Sequence, residues 1–389
     1  MTARPDLCVM GYDLRASGVV RNALRIAGAA SAAGLNTELW VARGDGPMRS
    51  EAPPGVTLRS IESPGADMGR SIGLLRAVPA LASYLKTVRP RIALSSGNHM
   101  HIAASLAYRL AGRPADVALW ARASNATLKH PISASLGRPL PAWIGSVVDA
   151  ANRQQYSTFG KVIAVCNELG DHLVYELHLP RDEIEVIPNG VDVEAIAAKA
   201  VLPLDHPWMS EGAPPVILSA GRLSRQKNFA DLVRALPLVR KQTAARLVIL
   251  GAGRDADIAN LQSLAASLGV ADAVLCAGFE ANPFRWMARA AVLAVSSRWE
   301  GSSNVVLEAL ACGTPVVACR CPTGITEVLE PLGPDRLVAP GDVAALAEAL
   351  VRQLGTPRHS SRLIAHARTF DLSHTLGAYV ASFQRALRD

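Results

Sequence analysis

Residues 296–318 read SSRWEGSSNVVLEALACGTPVVA, and the way this stretch divides decides the fold. An apolar run over 291–296 ends where it begins, a turn bearing Gly301 follows, a helical pattern opens near Asn304, and a second apolar run covers 315–319. Both runs are apolar on both faces, so the two are expected to be parallel strands covered by helices on each side. The helix start between them presents free backbone N–H groups and the positive end of a helix dipole, which suits an anion such as a diphosphate. Glu300 lies just before that helix and Glu308 about one turn inside it. Carboxylates at the mouth of an anion site do not bind phosphate; they suit the hydroxyls of a sugar or a ribose. The plainer alternative keeps Glu300 as an acid favouring the dipole and Glu308 as a surface glutamate.

Working outward, the same alternation continues in both directions. Apolar runs at 216–220, 246–250 and 273–277 precede the quoted stretch, with helical patterns between them, and a Pro-rich segment at 201–215 precedes those. An earlier series covers 7–14, 37–42, 56–61, 92–96, 117–121, 161–166 and 184–187. The reading is α/β throughout. One doubly wound domain is expected over 1–188 and another over 189–370, and a helix within 371–389 is expected to pack back on the first. In such sheets ligands bind beyond the carboxyl ends of the strands, so the loops there deserve the closest reading. The loop after 216–220 is Gly221-Arg222-Leu223-Ser224-Arg225-Gln226-Lys227-Asn228, which brings Arg222 and Lys227 to the ligand side of the domain that carries Glu300 and Glu308.

With 389 residues, 50% of them hydrophobic, the chain is long enough for two cores. Forty Lys and Arg against 33 Asp and Glu give a net charge of +7. Those cations are scattered, which suits phosphates or an anionic lipid surface. Zinc-finger spacing and basic regions with heptads are both lacking, so no nucleic-acid partner is expected. Cys8, Cys166, Cys276, Cys312, Cys319 and Cys321 lie mostly in apolar runs without paired spacing, as buried free thiols of a reducing compartment would. No run approaches the roughly 20 residues that span a bilayer, and the short apolar run before Asp13 is no secretory signal. A cytoplasmic protein is expected, at the inner face of the membrane if it meets lipid.

These residues together resemble the retaining glycosyltransferases of the GT4 group, whose fold is GT-B, two Rossmann-like domains facing across a cleft. The resemblance covers most of the chain and is strongest over 186–327. It rests on Glu300 and Glu308 at the family's spacing of two glutamates, on the loop from Gly221 to Asn228, and on Pro188-Asn189-Gly190-Val191-Asp192. It implies a nucleotide-diphosphate sugar as donor, with no metal or other cofactor. Arg222 and Lys227 would neutralise the diphosphate beside Gly221, with the amides of Ser303, Asn304 and Val305 completing the phosphate site. Glu300 would touch the transferred sugar, Glu308 would hold the ribose, and the loop with Phe279 would line the base. Gly18, in Ser17-Gly18-Val19, matches the family's glycine loop, although Ser17 stands where a second glycine is usual. Arg122 takes the place where many relatives carry a histidine, with Asn125 close behind. Residues 312–327 look like those of relatives that build lipid-linked or envelope glycans, so the acceptor is expected to be a glycan or glycolipid. A sugar-nucleotide epimerase and a non-catalytic nucleotide-sugar binder remain as alternatives.

Other signals compete. Residues 251–256 fit a G-x-G-x-x-A dinucleotide turn, with Glu280 as a loose ribose partner, and keep an oxidoreductase in view. Asp255-Ala256-Asp257 matches a metal-binding triplet, but acids also open helices for dipole reasons. His99 and His101 could orient an acceptor or be partly buried polar residues. Residues 129–148 combine cations with apolar residues at 143, 144, 147 and 148, which suits either a core helix or a surface resting on anionic lipid.

Overall fold

The computed structural model describes residues 3–61, 70–125, 141–321 and 324–388, except for the side chains of 70 and 71. These residues form two compact units, one made of the described residues up to 125 with 141–188 and 373–388, the other of 189–372.

The first unit holds a parallel sheet in the order β3-β2-β1-β4-β5-β6-β7. Its strands are β1 (Leu7–Gly11), β2 (Thr37–Val41), β3 (Thr57–Ser60), β4 (Ile92–Ser96), β5 (Ala118–Ala123), β6 (Lys161–Ala164) and β7 (Ile184–Val186). Helices α1 (Gly18–Ala32), α2 (Arg70–Thr87), α3 (Asn98–Leu110), α4 (Ala142–Tyr156) and α5 (Asn167–Asp171) connect them. Strand alternation divides the apolar residues between two faces. Leu7 and Val9 share a core with Ile26, Ala27 and Trp120, whereas Cys8 and Met10 pack with Leu81, Ala103 and Leu119.

The second unit begins with α6 (Val193–Ala200), capped by Asp192, whose carboxylate accepts from the Ala195 amide at 2.9 Å. Its sheet runs β10-β9-β8-β11-β12-β13, parallel throughout. The strands are β8 (Val216–Ala220), β9 (Arg246–Leu250), β10 (Val274–Gly278), β11 (Val292–Val295), β12 (Val316–Cys319) and β13 (Leu337–Val338). Helices α7 (Phe229–Arg240), α8 (Asp255–Ser267), α9 (Phe284–Arg289), α10 (Asn304–Ala311), α11 (Ile325–Leu329), α12 (Val343–Leu354) and α13 (Ser360–Arg368) complete it. At two residues, β13 is too short to leave a pattern in the sequence.

In both sheets the strand order reverses next to the first strand, between β1 and β4 and between β8 and β11. The loops after those strands flank a topological switch point, where doubly wound sheets take ligands. A last helix, α14 (Leu372–Arg388), seats Tyr379 and Phe383 against Trp120 in the core of the first unit.

Candidate active site

In the second unit the loops after β8 and β11 are bound to each other. The Arg298 amide donates to the Gln226 carbonyl at 2.8 Å, Gln226 Nε2 to the Trp299 carbonyl at 2.9 Å, and Ser296 Oγ to the Lys227 carbonyl at 2.9 Å. Lys227 Nζ lies 2.6 Å from Glu300 Oε1, and Ser297 Oγ donates to the same oxygen at 2.6 Å. The Glu300 side chain is only 8% exposed and that of Lys227 19%, so the pair is largely shielded from water. Cys321 is buried nearby; burial raises its pKa and the Glu300 charge adds to the effect. Arg222 contrasts with Lys227: it is exposed, and among the described residues it has no hydrogen-bond or ion-pair partner.

Glycines set how closely these loops approach. Gly221, Gly251 and Gly278 end β8, β9 and β10 with φ of 149°, 147° and 76°. The Gly221 amide donates to the Leu250 carbonyl at 2.9 Å and the Gly251 amide to the Gly278 carbonyl at 2.7 Å. A Cβ at Gly251 would run into the Gly221 carbonyl. The backbones of neighbouring strand ends therefore lie against one another at the base of the Arg222 loop, with no room for a side chain at 251.

Helix α10 opens at Asn304, as its sequence implies, with Ser303 as its N-cap. Ser303 makes no capping bond; it is 7% exposed, and its Oγ has no partner among the described residues. A buried hydroxyl with no partner, next to the unpaired amides of a helix start, suits an anion that accepts hydrogen bonds. Asn189 holds this turn from outside. Its Nδ2 donates to the Ser302 carbonyl at 3.0 Å and to Asn304 Oδ1 at 2.7 Å. Val305 and Glu308 are half-buried in the first turns of α10, and Phe279 is 66% exposed beyond β10.

The competing signals resolve onto local structure. Asp257 accepts from Arg254 through the amide, Nε at 2.9 Å and Nη2 at 2.8 Å, so Asp255-Ala256-Asp257 caps α8. Glu280 accepts from the Asn282 amide at 3.0 Å, Trp286 Nε1 at 3.0 Å and Arg285 Nη2 at 3.1 Å, which ties it to the start of α9 rather than offering it to a ribose. Burial pushes the Glu280 carboxyl up, but these donors outweigh it and hold the group below the usual range.

In the first unit, Gly18 opens α1 behind its cap Ser17, whose Oγ accepts from the Val20 amide at 3.3 Å. Gly97 ends β4 at a φ of 88°, and a Cβ there would strike Val19, so the loops at this switch point also touch. Asn98 Nδ2 donates to the Asn125 carbonyl at 3.0 Å. The two histidines separate: His99 is exposed at the start of α3, while His101 is fully buried. His101 Nδ1 lies 2.7 Å from Ser95 Oγ, and its ring meets the edges of Tyr156 and Phe159. Burial lowers its pKa to about 3, so it is a neutral core residue and not an acceptor ligand. Arg122 is corrected in the same way. It lies within β5, 1% exposed, with Nε donating to Tyr379 Oη at 2.9 Å, because its strand position faces the core under α14.

Sequence reasoning missed Asn189 as a clamp and Ser297 as a second donor to Glu300. Asn189 stands in the quoted Pro-Asn-Gly motif, so the signal was present; Ser297 had none. The cations of 129–140 lie outside the described residues. On α4, Trp143 and Val147 are exposed, and Ile144 and Val148 are half-buried. The thiols at 8, 166, 319 and 321 are buried, and those at 276 and 312 are half-buried. Among the described residues no helix is long and apolar enough to cross a membrane.

Comparison with known proteins matches residues 17–190 to the glycosyl transferase 4-like domain and residues 214–356 to glycosyl transferases group 1. The N-acetylgalactosamine-N,N'-diacetylbacillosaminyl-diphospho-undecaprenol 4-alpha-N-acetylgalactosaminyltransferase of Campylobacter jejuni is 36% identical over 158 residues, 41% of this chain and 40% of that one. The chain thus spans less than two thirds of the length of the curated relatives it matches. Sucrose-phosphate synthase of Thermosynechococcus elongatus superposes with a TM-score of 0.80 at 17% identity, covering 99% of this chain and 100% of that one. HepE of Anabaena, in complex with UDP and glucose, gives 0.74 at 18%, covering 98% and 100%. The fold is GT-B.

Proposed function

The chain belongs to the group 1 glycosyl transferases, with a 4-like domain in its first half, and from that premise we propose that it transfers a sugar from a nucleotide-diphosphate donor to a lipid-linked or envelope glycan, retaining the anomeric configuration. One observation carries the proposal: the Lys227–Glu300 pair and the exposed Arg222 stand at a switch point beside an open helix start.

In this reading the diphosphate lies on the amides of Ser303, Asn304 and Val305, and Ser303 Oγ donates to it. Arg222 and Lys227 oppose the charge that grows on the leaving group, in a loop the protein has already fixed in place. Glu300 touches the sugar and orients Lys227, while Glu308 holds the ribose and Phe279 flanks the base. Gly18, His99 and Asn125 stand at the acceptor side. The relative that acts on a diphospho-undecaprenol substrate supports a lipid-linked acceptor. The neighbour bound to UDP and glucose supports a nucleotide-sugar donor. No metal enters the scheme, because cations and helix amides meet the diphosphate. A cytoplasmic enzyme at the inner membrane face fits such an acceptor.

The test incubates the purified chain with UDP- and GDP-sugars, a polyprenyl-diphosphate glycan and a chelator. Release of nucleoside diphosphate with a glycosylated product of unchanged anomeric configuration is expected. An epimerised donor, donor binding without turnover, or turnover restored only by manganese would overturn the corresponding part.

A further inference from the structure

Helices α2, α3 and α4 lie side by side on one face of the first sheet. Each returns from the carboxyl end of a parallel strand, so all three N-termini lie at the end where this sheet takes ligands. Their inward faces are core: Leu74, Val78 and Leu81 on α2, Met100, Ala103 and Ala107 on α3, Tyr156 on α4. Outward, within the first two and a half turns, stand Ile72 and Leu75 on α2, Ile102 and Leu106 on α3, and Trp143 and Val147 on α4. Their exposures run from 41% for Leu106 to 71% for Trp143. Single exposed apolar residues are ordinary on a protein surface, but six large ones on neighbouring helices at the same level are not.

Charge distinguishes the possible occupants of this surface. The outward positions of α2 also carry Arg76 and Lys86, with exposed Arg113 just beyond α3. The sequences of α2 and α3 contain no carboxylate, and α4 contains one, the half-buried Asp149. An interface with a second copy would set these cations against themselves. An anionic bilayer takes the apolar side chains below its headgroups and the cations among its phosphates.

We propose that the outward face of α2, α3 and α4, centred on Leu75, Ile102, Leu106 and Trp143, rests on the anionic membrane surface and brings the carboxyl end of the first sheet to the headgroups. The proposal rests on the reading of a lipid-linked acceptor and gives that reading a place on the molecule. It differs from the sequence reading, in which the membrane alternative to a core helix lay in 129–148; of the described residues of that segment, Trp143 and Val147 contribute here.

The test is flotation of the full chain with phosphatidylcholine vesicles and with vesicles holding about one third phosphatidylglycerol. Binding to the anionic vesicles, weakened by salt, is expected. Leu75→Glu with Ile102→Glu and Leu106→Glu should lower vesicle partition at least ~10-fold, with unchanged circular dichroism and an unchanged thermal shift on adding nucleoside diphosphate. Should the triple variant misfold, Leu106→Ser and Trp143→Ser singly should each lower partition by several-fold. Failure to float, equal flotation of a folded variant, or a dimer that the variant disrupts would each overturn the proposal. Donor binding, read on the same samples, separates that failure from failure of the proposed activity.

Discussion

Arg222 and Lys227 share one loop but are held in opposite ways, and their variants should differ accordingly. Lys227 neutralises a Glu300 that is almost out of water, so Lys227→Ala leaves a buried carboxylate uncompensated, at a cost of about 3 kcal/mol. Arg222 is exposed and unpaired among the described residues, so Arg222→Ala should leave the melting temperature unchanged. Both should lower turnover by roughly 100-fold; thermal melts and steady-state rates on the two variants check this, and an unstable Arg222→Ala would count against it. The glutamates should also divide. Glu308→Gln should weaken donor binding by about 1 to 3 kcal/mol with little change in kcat, because ribose contacts do not change during the reaction. Glu300→Gln should act chiefly on kcat, since in the proposed reaction its neighbour Lys227 faces the developing charge. Calorimetric Kd values and single-turnover rates decide it. These four residues were legible because three of them sit in loops between an apolar run and a helical pattern, and Glu308 lies one turn inside the helix that such a loop opens. Ser297 and the Asn189 clamp were not, because their bonds join segments whose partnership only the fold creates.

At the scale of elements, the closely packed strand ends and the open start of α10 make contrasting predictions. Gly251→Ala would place a methyl against the Gly221 carbonyl at a φ that L residues avoid, so it should destabilise the second unit by about 2 kcal/mol or more and displace the Arg222 loop. Ser303→Ala removes a hydroxyl that makes no cap and has no partner among the described residues, so the usual capping loss of about 1 kcal/mol should be absent. Donor affinity should fall instead; melting curves with and without nucleoside diphosphate would show both, and a marked loss of stability in Ser303→Ala would remove the hydroxyl from the phosphate site. Most of the strand series was readable because buried parallel strands are apolar on both faces; β3, with Thr57, Arg59 and Ser60, is the exception. Among the described strands only the two-residue β13 escaped. The acceptor-side reading failed for Arg122, and for His101 the buried one of its two readings holds, for a different reason. Period and loop position locate a residue near a strand end but do not say which way it points, and both point into the core.

Across the whole molecule, His101 sets an acid limit. Its folded pKa, about 3, lies below the ordinary 6.5, so as pH falls below 6.5 the unfolded chain takes up a proton that the folded first unit refuses. Stability should therefore fall between pH 6.5 and 3, by about 2 kcal/mol at pH 5, and His101→Asn should flatten that slope in urea titrations. The two units need not melt together, so each transition should be followed separately. Phe383→Ala empties the fully buried side of α14 and should cost the first unit about 3 to 5 kcal/mol, with hydrogen exchange quickening in β5 and β6 but not in β8 or β11. The position of that helix also bears on biosynthesis. The ribosome makes most of the first unit, then all of the second, and only then residues 373–388, which carry Tyr379 and Phe383. The usual order, in which the domain made first is finished first, is reversed here. Until α14 emerges, Trp120 lacks Phe383 and the Arg122 guanidinium lacks its tyrosine, so the nascent first unit waits incomplete, a natural client for a chaperone, while the second unit folds ahead of it.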